Sequence, residues 1–146
     1  MYEIYPILKT TMDDATAQGS SQPKILIIED DKFLRDLLSQ KLTREGFKVL
    51  AAMEGEEGIK IAGEEMPNLV LLDLILPGLD GFDILERLKK DSRLSSIPVL
   101  VLSNLGQKED IERAISSGAE GFLIKANFTP GEIVDKVKSV LQKKYL

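Results

Sequence analysis

The sequence predicts an α/β fold in which a five-stranded parallel sheet is covered by helices on both faces. Three observations support this prediction. Short runs of β-forming apolar residues recur without the alternation of a half-solvated strand, which indicates strands buried on both sides. Segments with apolar residues at helical spacing lie between these runs. Glycine, proline or capping residues separate one kind of segment from the other.

The first strand and helix show this pattern clearly. Residues 25–28 read Ile-Leu-Ile-Ile, a continuous apolar run that predicts a buried strand. Apolar residues then recur at helical spacing between Phe33 and Leu42, and Asp31 is the expected N-cap. Gly46 occupies the position at which a C′ glycine ends a helix.

The rest of the chain repeats this alternation. Asp80 is expected to cap the third helix, and residues 129–132, Thr-Pro-Gly-Glu, form a capping box that opens the last one. Five strands alternating with five helices favour a doubly wound sheet, and its commonest form at this length is the flavodoxin-like order 2-1-3-4-5. The further predicted strands are 47–51, 69–72, 97–102 and 121–124, and the further predicted helices are 54–65, 82–90, 108–117 and 130–143.

Composition excludes several kinds of chemistry. The 146 residues suit one domain, and 43% of them are apolar. The absence of cysteine and histidine excludes disulfides, thiolate ligands and catalytic triads that need histidine. A metal ion would therefore be a hard cation bound by oxygen atoms. The net charge of -5 argues against nucleic acid as a direct partner.

The amino-terminal residues differ from the rest. Residues 1–22 are rich in small and polar side chains, so we expect a flexible tail or linker there and one domain over residues 23–146. No segment is long and apolar enough to span a membrane, and residues 4–8 lack the flanks of a signal peptide. We therefore expect a cytoplasmic protein without a membrane partner.

Polar side chains follow the predicted strands at their carboxyl ends, where doubly wound sheets form their sites. Crowded carboxylates favour a divalent cation, and magnesium suits one or two of them. A lysine nearby would pair with a phosphate, so an aspartate neutralised by the metal could attack phosphorus. These residues are Glu29, Asp30 and Asp31 after strand 1, Asp73 after strand 3, Ser103 and Asn104 after strand 4, and Lys125 after strand 5.

Taken together and in this order, these stretches resemble the receiver domain of response regulators in two-component signalling. The resemblance extends from Lys24 to Leu146. Each motif is weak alone, but the set is specific. The stretches that carry it are residues 25–31, 71–81, 98–103 and 121–125.

The resemblance implies a magnesium site beside a phosphoacceptor. Asp73 matches the phosphoacceptor, which also contacts the metal, and Asp30 matches the direct magnesium ligand. Glu29 matches the acid beside it, and the backbone carbonyl of Ile75 would be a further ligand.

It also implies the residues of the switch. Ser103 matches the hydroxyl that follows the phosphoryl group, and Phe122 the aromatic side chain that changes rotamer with it. Lys125 matches the lysine that pairs with the phosphate. Two positions depart from the pattern. Ala126 stands where a proline with a cis bond usually follows the lysine, which leaves the Lys125–Ala126 bond cis or trans, and Asn104 stands where a small residue is usual.

The implied function is a signalling switch rather than an enzyme, one that assists only its own phosphorylation and dephosphorylation. Because the sequence has no histidine, the donor phosphohistidine must lie on a histidine kinase or a histidine phosphotransfer protein. No output domain follows the last helix in this sequence, so we expect protein–protein contact through the face of helix 4, strand 5 and helix 5. A homodimer is a further option.

Two alternatives stay open. One is a degenerate receiver that acts only as an interaction module. The other is a small phosphohydrolase of the haloacid-dehalogenase type with an aspartyl nucleophile. Those enzymes carry Asp-x-Asp-x-Thr after strand 1, where this chain reads Glu-Asp-Asp-Lys over residues 29–32.

Overall fold

The computed structural model describes residues 22–145, so the predicted tail, except Gln22, lies outside the described residues. Within them, five strands form one parallel sheet in the order β2-β1-β3-β4-β5, which confirms the predicted topology. The strands are β1 (Lys24–Ile28), β2 (Lys48–Ala52), β3 (Leu69–Leu72), β4 (Val99–Ser103) and β5 (Gly121–Ile124). The helices are α1 (Lys32–Arg44), α2 (Gly55–Glu65), α3 (Gly81–Lys90), α4 (Lys108–Ser116) and α5 (Pro130–Tyr145).

The sheet separates two apolar layers because successive side chains of a strand point to opposite faces. In β1, Leu26 and Ile28 pack on one face, together with residues of α2, α3 and α4. Ile25 and Ile27 pack on the other face with residues of α1 and α5. The central strands are thus buried on both sides, as their continuous apolar runs predict.

The predicted helix ends are confirmed. Asp31 Oδ1 accepts a hydrogen bond from Leu34 N at 3.2 Å, and Asp80 Oδ1 accepts one from Phe82 N at 2.8 Å. Such bonds satisfy backbone donors that have no partner inside the helix. Gly46 has a φ of 97°, the left-handed conformation expected of a glycine that ends a helix.

The capping box of α5 is also present. Glu132 N donates to Thr129 Oγ1 at 3.1 Å, and Thr129 N donates to Glu132 Oε1 at 2.8 Å. Just before it, the structure has a short 3₁₀ helix (Lys125–Asn127) that the sequence does not predict. The Lys125–Ala126 bond is trans, as is every peptide bond of the described residues.

The remaining differences lie at the ends of elements. β2 begins and ends one residue later than predicted. β4 covers Val99–Ser103 instead of residues 97–102, because Ile97 N bonds to Leu94 O in a turn and Pro98 has no N–H to donate. Ser103 is therefore the last residue of a strand. No helix of residues 22–145 is long and apolar enough to cross a membrane.

Candidate functional site

The acidic residues after β1 and β3 are held at the carboxyl edge by the backbone. Glu29 N donates to Ala52 O at 3.0 Å, and Asp73 N donates to Ile28 O at 3.0 Å. These bonds extend the pairing of the strands by one residue beyond β1 and β3. The two acids therefore follow neighbouring strands and lie close together.

Three carboxylates form a cluster at this edge. Glu29, Asp30 and Asp73 each place one carboxylate oxygen within 4.8 Å of the others. Glu29 and Asp73 are buried, with 2% and 5% of their surface exposed, whereas Asp30 is open to solvent. Like charges so close, two of them away from water, repel one another and favour a bound cation.

Lys125 brings a positive charge into this cluster. Its Nζ lies 2.8 Å from Asp73 Oδ2 and 2.8 Å from Glu29 Oε1. The contact with Asp73 is a hydrogen bond, whereas the contact with Glu29 is an ion pair without hydrogen-bond geometry. One ammonium thus bridges two buried carboxylates from different strands.

The charges and the burial shift two pKa values. Burial raises the pKa of Glu29; the contacts with Lys125 and with the Asp31 amide oppose this, and the charge of Asp73 adds to it. For Lys125, burial alone lowers the pKa, but the contacts with Asp73 and Glu29 outweigh it and raise the pKa above its usual value. Lys125 is therefore an ammonium at neutral pH.

Backbone amides fix the orientation of both buried carboxylates. Asp73 Oδ1 accepts a hydrogen bond from Ile75 N at 3.0 Å, and Glu29 Oε2 accepts one from Asp31 N at 3.0 Å. Glu29 Oε1 is buried and accepts no hydrogen bond. This oxygen already faces the Lys125 ammonium at 2.8 Å, so the fit to a hard cation such as Mg²⁺ rests on the set of close carboxylate oxygens. Glu29, Asp30 and Asp73 could hold it; a contribution from the Ile75 carbonyl stays a prediction.

The two predicted switch residues lie on neighbouring strands and on one face of the sheet. Phe122 in β5 pairs with Val101 in β4, two residues before Ser103. Because side chains alternate, Ser103 and Val101 point to the same face, where half-buried Phe122 also packs. Ser103 is fully buried, and its Oγ accepts a hydrogen bond from Leu105 N at 3.3 Å.

One contributor to the site is not predicted from the sequence. Arg35 Nη1 donates to the carbonyl of Glu29 at 2.8 Å and to that of Asp30 at 3.3 Å, and so fixes the loop that carries both acids. The sequence does carry a signal for this contact. Side chains of a helix lean towards its amino end, and the amino end of α1 lies at this edge of the sheet. Asn104, which departs from the family pattern, is exposed after β4.

Comparison with known proteins agrees with this architecture. The family model of the response regulator receiver domain matches residues 25–138. The DNA-binding dual master transcriptional regulator RpaA of Synechocystis sp. is 40% identical over 121 residues, which are 83% of this chain and 50% of the relative. The chain spans about half the length of the curated relatives it matches.

Solved structures show the same fold. A CheY-like receiver domain from Methanospirillum hungatei superposes with a TM-score of 0.79 at 27% identity, over 85% of this chain and 97% of the other. The Mn(2+)-bound form of response regulator Rcp1 superposes with a TM-score of 0.71 at 26% identity, over 80% and 92%. This chain belongs to the response regulator receiver domain family, whose members act in two-component signalling.

Proposed function

We propose that this chain is a phosphorylation-dependent switch that accepts a phosphoryl group on Asp73 from a phosphohistidine of a histidine kinase or a histidine phosphotransfer protein. The observation that carries the proposal is the pair of Asp73 and Lys125, joined at 2.8 Å inside a cluster of acids. A half-buried lysine beside a carboxylate supplies the charge that a phosphoryl group on that carboxylate needs.

The transfer exchanges one bond to phosphorus for another. A carboxylate oxygen of Asp73 forms the new P–O bond, and the P–N bond to the donor imidazole breaks with its electron pair left on nitrogen. The Ile75 amide already holds Asp73 Oδ1, so the carboxylate is oriented before the donor arrives. Lys125 stays protonated and can pair with the phosphoryl oxygens as it pairs with Asp73.

Glu29, Asp30 and Asp73 would hold a magnesium ion, together with the carbonyl of Ile75. When bound, Mg²⁺ neutralises negative charge where the carboxylate and the phosphoryl group meet. The Mn(2+)-bound form of response regulator Rcp1, a structure of similar fold, supports a divalent site of this kind.

Ser103 and Phe122 would carry the signal away from Asp73. The Ser103 oxygen accepts a bond from Leu105 N, which leaves the hydroxyl hydrogen available to a phosphoryl oxygen. A movement of Ser103 would change the space next to Phe122 on the same face. This change in conformation would be transmitted to a partner protein through the surface of α4, β5 and α5.

Acetyl phosphate with magnesium tests the proposal. Intact-mass and peptide spectra should show one phosphoryl group on Asp73, absent without magnesium or in Asp73→Asn. Asp83→Asn changes an exposed acid in the first turn of α3 and should be labelled like wild type. A label on another residue would overturn the assignment to Asp73. Rapid turnover of the donor would indicate a phosphohydrolase, and no reaction a degenerate receiver.

A further inference from the structure

Hydrogen bonds hold two of the three clustered carboxylates directly, but not the third. Asp73 Oδ1 accepts the Ile75 amide at 3.0 Å, and Glu29 Oε2 accepts the Asp31 amide at 3.0 Å. Asp30 differs, because its carboxylate is open to solvent and no donor among the described residues is bonded to it. The direction in which the Asp30 side chain points therefore depends on the backbone that carries it.

That backbone is held by a side chain of α1. Arg35, in the first turn of the helix, donates from Nη1 to the Asp30 carbonyl at 3.3 Å and to the Glu29 carbonyl at 2.8 Å. A guanidinium is planar and carries its donors in a fixed geometry, so it fixes the groups that it bonds more strictly than an ammonium does. Arg35 thus holds two successive carbonyls in the loop between β1 and α1.

Arg35 is itself fixed, so it can serve as an anchor for this loop. Its amide donates to the Asp31 carbonyl at 2.9 Å, and its own carbonyl accepts the Ser39 hydroxyl at 2.7 Å. The side chain is half-buried, and side chains of a helix lean towards its amino end. The position of the first turn of α1 is therefore transmitted to the backbone of Glu29 and Asp30.

The charge of Arg35 alone would have the opposite effect on a bound cation. A positive group close to a cation site repels the ion, so its removal should tighten binding. A positioning role predicts weaker binding, because a loop released from Arg35 lets Asp30 turn away from Glu29 and Asp73. The ion must then order the loop as it binds, which lowers the affinity. The sign of the change in magnesium affinity separates the two effects.

We propose that Arg35 is a positioning residue that sets the magnesium affinity of the site by holding Asp30 close to Glu29 and Asp73, without touching the ion. This proposal rests on the proposed function, in which these acids hold Mg²⁺. The pair of Asp73 and Lys125, joined at 2.8 Å, does not include Arg35. Arg35 therefore governs how tightly magnesium binds and not how fast the magnesium-bound site is phosphorylated.

The test uses magnesium chloride as the ligand and three variants of the full chain. Arg35→Met keeps an apolar stem and removes the donors and the charge, whereas Arg35→Lys keeps the charge without the planar group. Arg44→Met is the matched control, because it removes an exposed arginine from the last turn of the same helix. The shifts of amide NMR signals during a magnesium titration give the Kd. Labelling by acetyl phosphate is measured over a series of magnesium concentrations.

We expect the Kd for Mg²⁺ to rise roughly tenfold or more in Arg35→Met, the usual loss when a residue that orients a metal ligand is removed. Arg35→Lys should lie between Arg35→Met and wild type, and Arg44→Met should bind like wild type. The half-saturating magnesium concentration for labelling should rise in the same order. The labelling rate at saturating magnesium should stay at the wild-type value, which a residue needed only for the fold of the site would lower.

An unchanged Kd in Arg35→Met would overturn the proposal, because the loop would then hold its position without the arginine. A lower Kd would overturn it too, since charge would then dominate. A labelling rate that stays low at saturating magnesium would assign Arg35 to the fold of the site and not to its affinity. If urea unfolding in chelator shows that Arg35→Met is not folded, the same criteria apply to Arg35→Lys. A wild-type chain that binds no magnesium would overturn the metal site of the proposed function itself.

Discussion

Lys125 Nζ lies 2.8 Å from the Asp73 carboxylate although 52 residues separate them in the chain. The same ammonium lies 2.8 Å from Glu29, so one positive charge serves two buried carboxylates. Before phosphorylation, this lysine relieves the repulsion that burial of both acids creates. Its position therefore matters to the stability of the domain as well as to the proposed chemistry.

Lys125→Ala should lower the free energy of unfolding by about 1–3 kcal/mol at neutral pH without magnesium, because it leaves two buried carboxylates without the half-buried ammonium that pairs with them. Lys138→Ala is the control. It removes an ion pair with Glu45 whose side chains are 43% and 42% exposed, and should cost at most about 1 kcal/mol. Urea unfolding of both variants measures the difference. Equal losses would show that Lys125 contributes no more than a surface lysine.

Glu29 should give the domain a distinct pH dependence. Its pKa is raised above the usual 4.5 in the folded state, mainly by burial. At pH values between the pKa of the unfolded chain and the raised pKa of the folded state, the native state therefore binds more protons than the unfolded chain. Its contribution to stability is full below pH 4.5 and is lost as the pH rises through the raised pKa. Urea unfolding in chelator at a series of pH values should show this fall.

Glu29→Gln should abolish that part of the pH dependence because the amide does not titrate. Glu56→Gln is the control, since Glu56 is exposed and its contact with Arg87 lowers its pKa, the opposite direction. The control should retain the fall in stability due to Glu29. If Glu29→Gln also retained it, another group would be the source.

Gly81 allows α3 to approach the loop after Asp73. A Cβ atom at Gly81 would overlap the backbone of Leu74, whose carbonyl accepts the Gly81 amide at 3.0 Å. Gly81→Ala should therefore destabilise by about 1–3 kcal/mol and slow the phosphorylation of Asp73 by moving the loop.

Gly131→Ala is the matched control. At Gly131, in α5, a Cβ atom would meet nothing closer than Thr129 Oγ1 at 4.0 Å. Alanine there should be neutral or stabilise by up to about 1 kcal/mol, since it is the better helix former. Urea unfolding and acetyl phosphate labelling report both effects. Similar results for the two variants would contradict a role for close packing at Gly81.

The site could be largely predicted from the sequence because its acids follow strands. The runs before Glu29 and Asp73 are apolar, and neighbouring parallel strands must end at one edge, so these acids are placed together by topology alone. The same reasoning places Lys125 after β5. It does not give the local backbone conformation, because Lys125 is the first residue of a 3₁₀ helix that the sequence does not predict.

Other features depend on tertiary contacts that no local pattern records. Arg35 looks like any helix-surface arginine until its contacts with the carbonyls of Glu29 and Asp30 are known. Met53 and Phe33 look like core residues, because apolar side chains beside a strand or in a helix are usually buried. Both are exposed: Met53 lies in the loop after β2 and Phe33 in the first turn of α1, at the carboxyl edge of the sheet.

The last prediction concerns the lifetime of the phosphoryl group on Asp73. Hydrolysis needs a water molecule in line with phosphorus, and the side chains two residues beyond Asp73 and Ser103 should flank its approach. These are Ile75, which is 54% exposed, and Leu105, which is half-buried against the core. Neither can hydrogen-bond to a water molecule or orient it. We therefore expect slow decay of the phosphorylated protein.

Ile75→Asn should speed the decay roughly tenfold, because an amide can orient water although it does not take its proton as a general base would. Ile75→Val keeps the side chain apolar and should decay like wild type. Leu105 is left unchanged, because its half-buried side chain packs against the core and a polar replacement would perturb the fold. Decay is followed in excess magnesium after the donor is removed. Rapid decay of wild type, or equal rates for the asparagine and valine variants, would show that the apolar side chain at Ile75 does not set the lifetime.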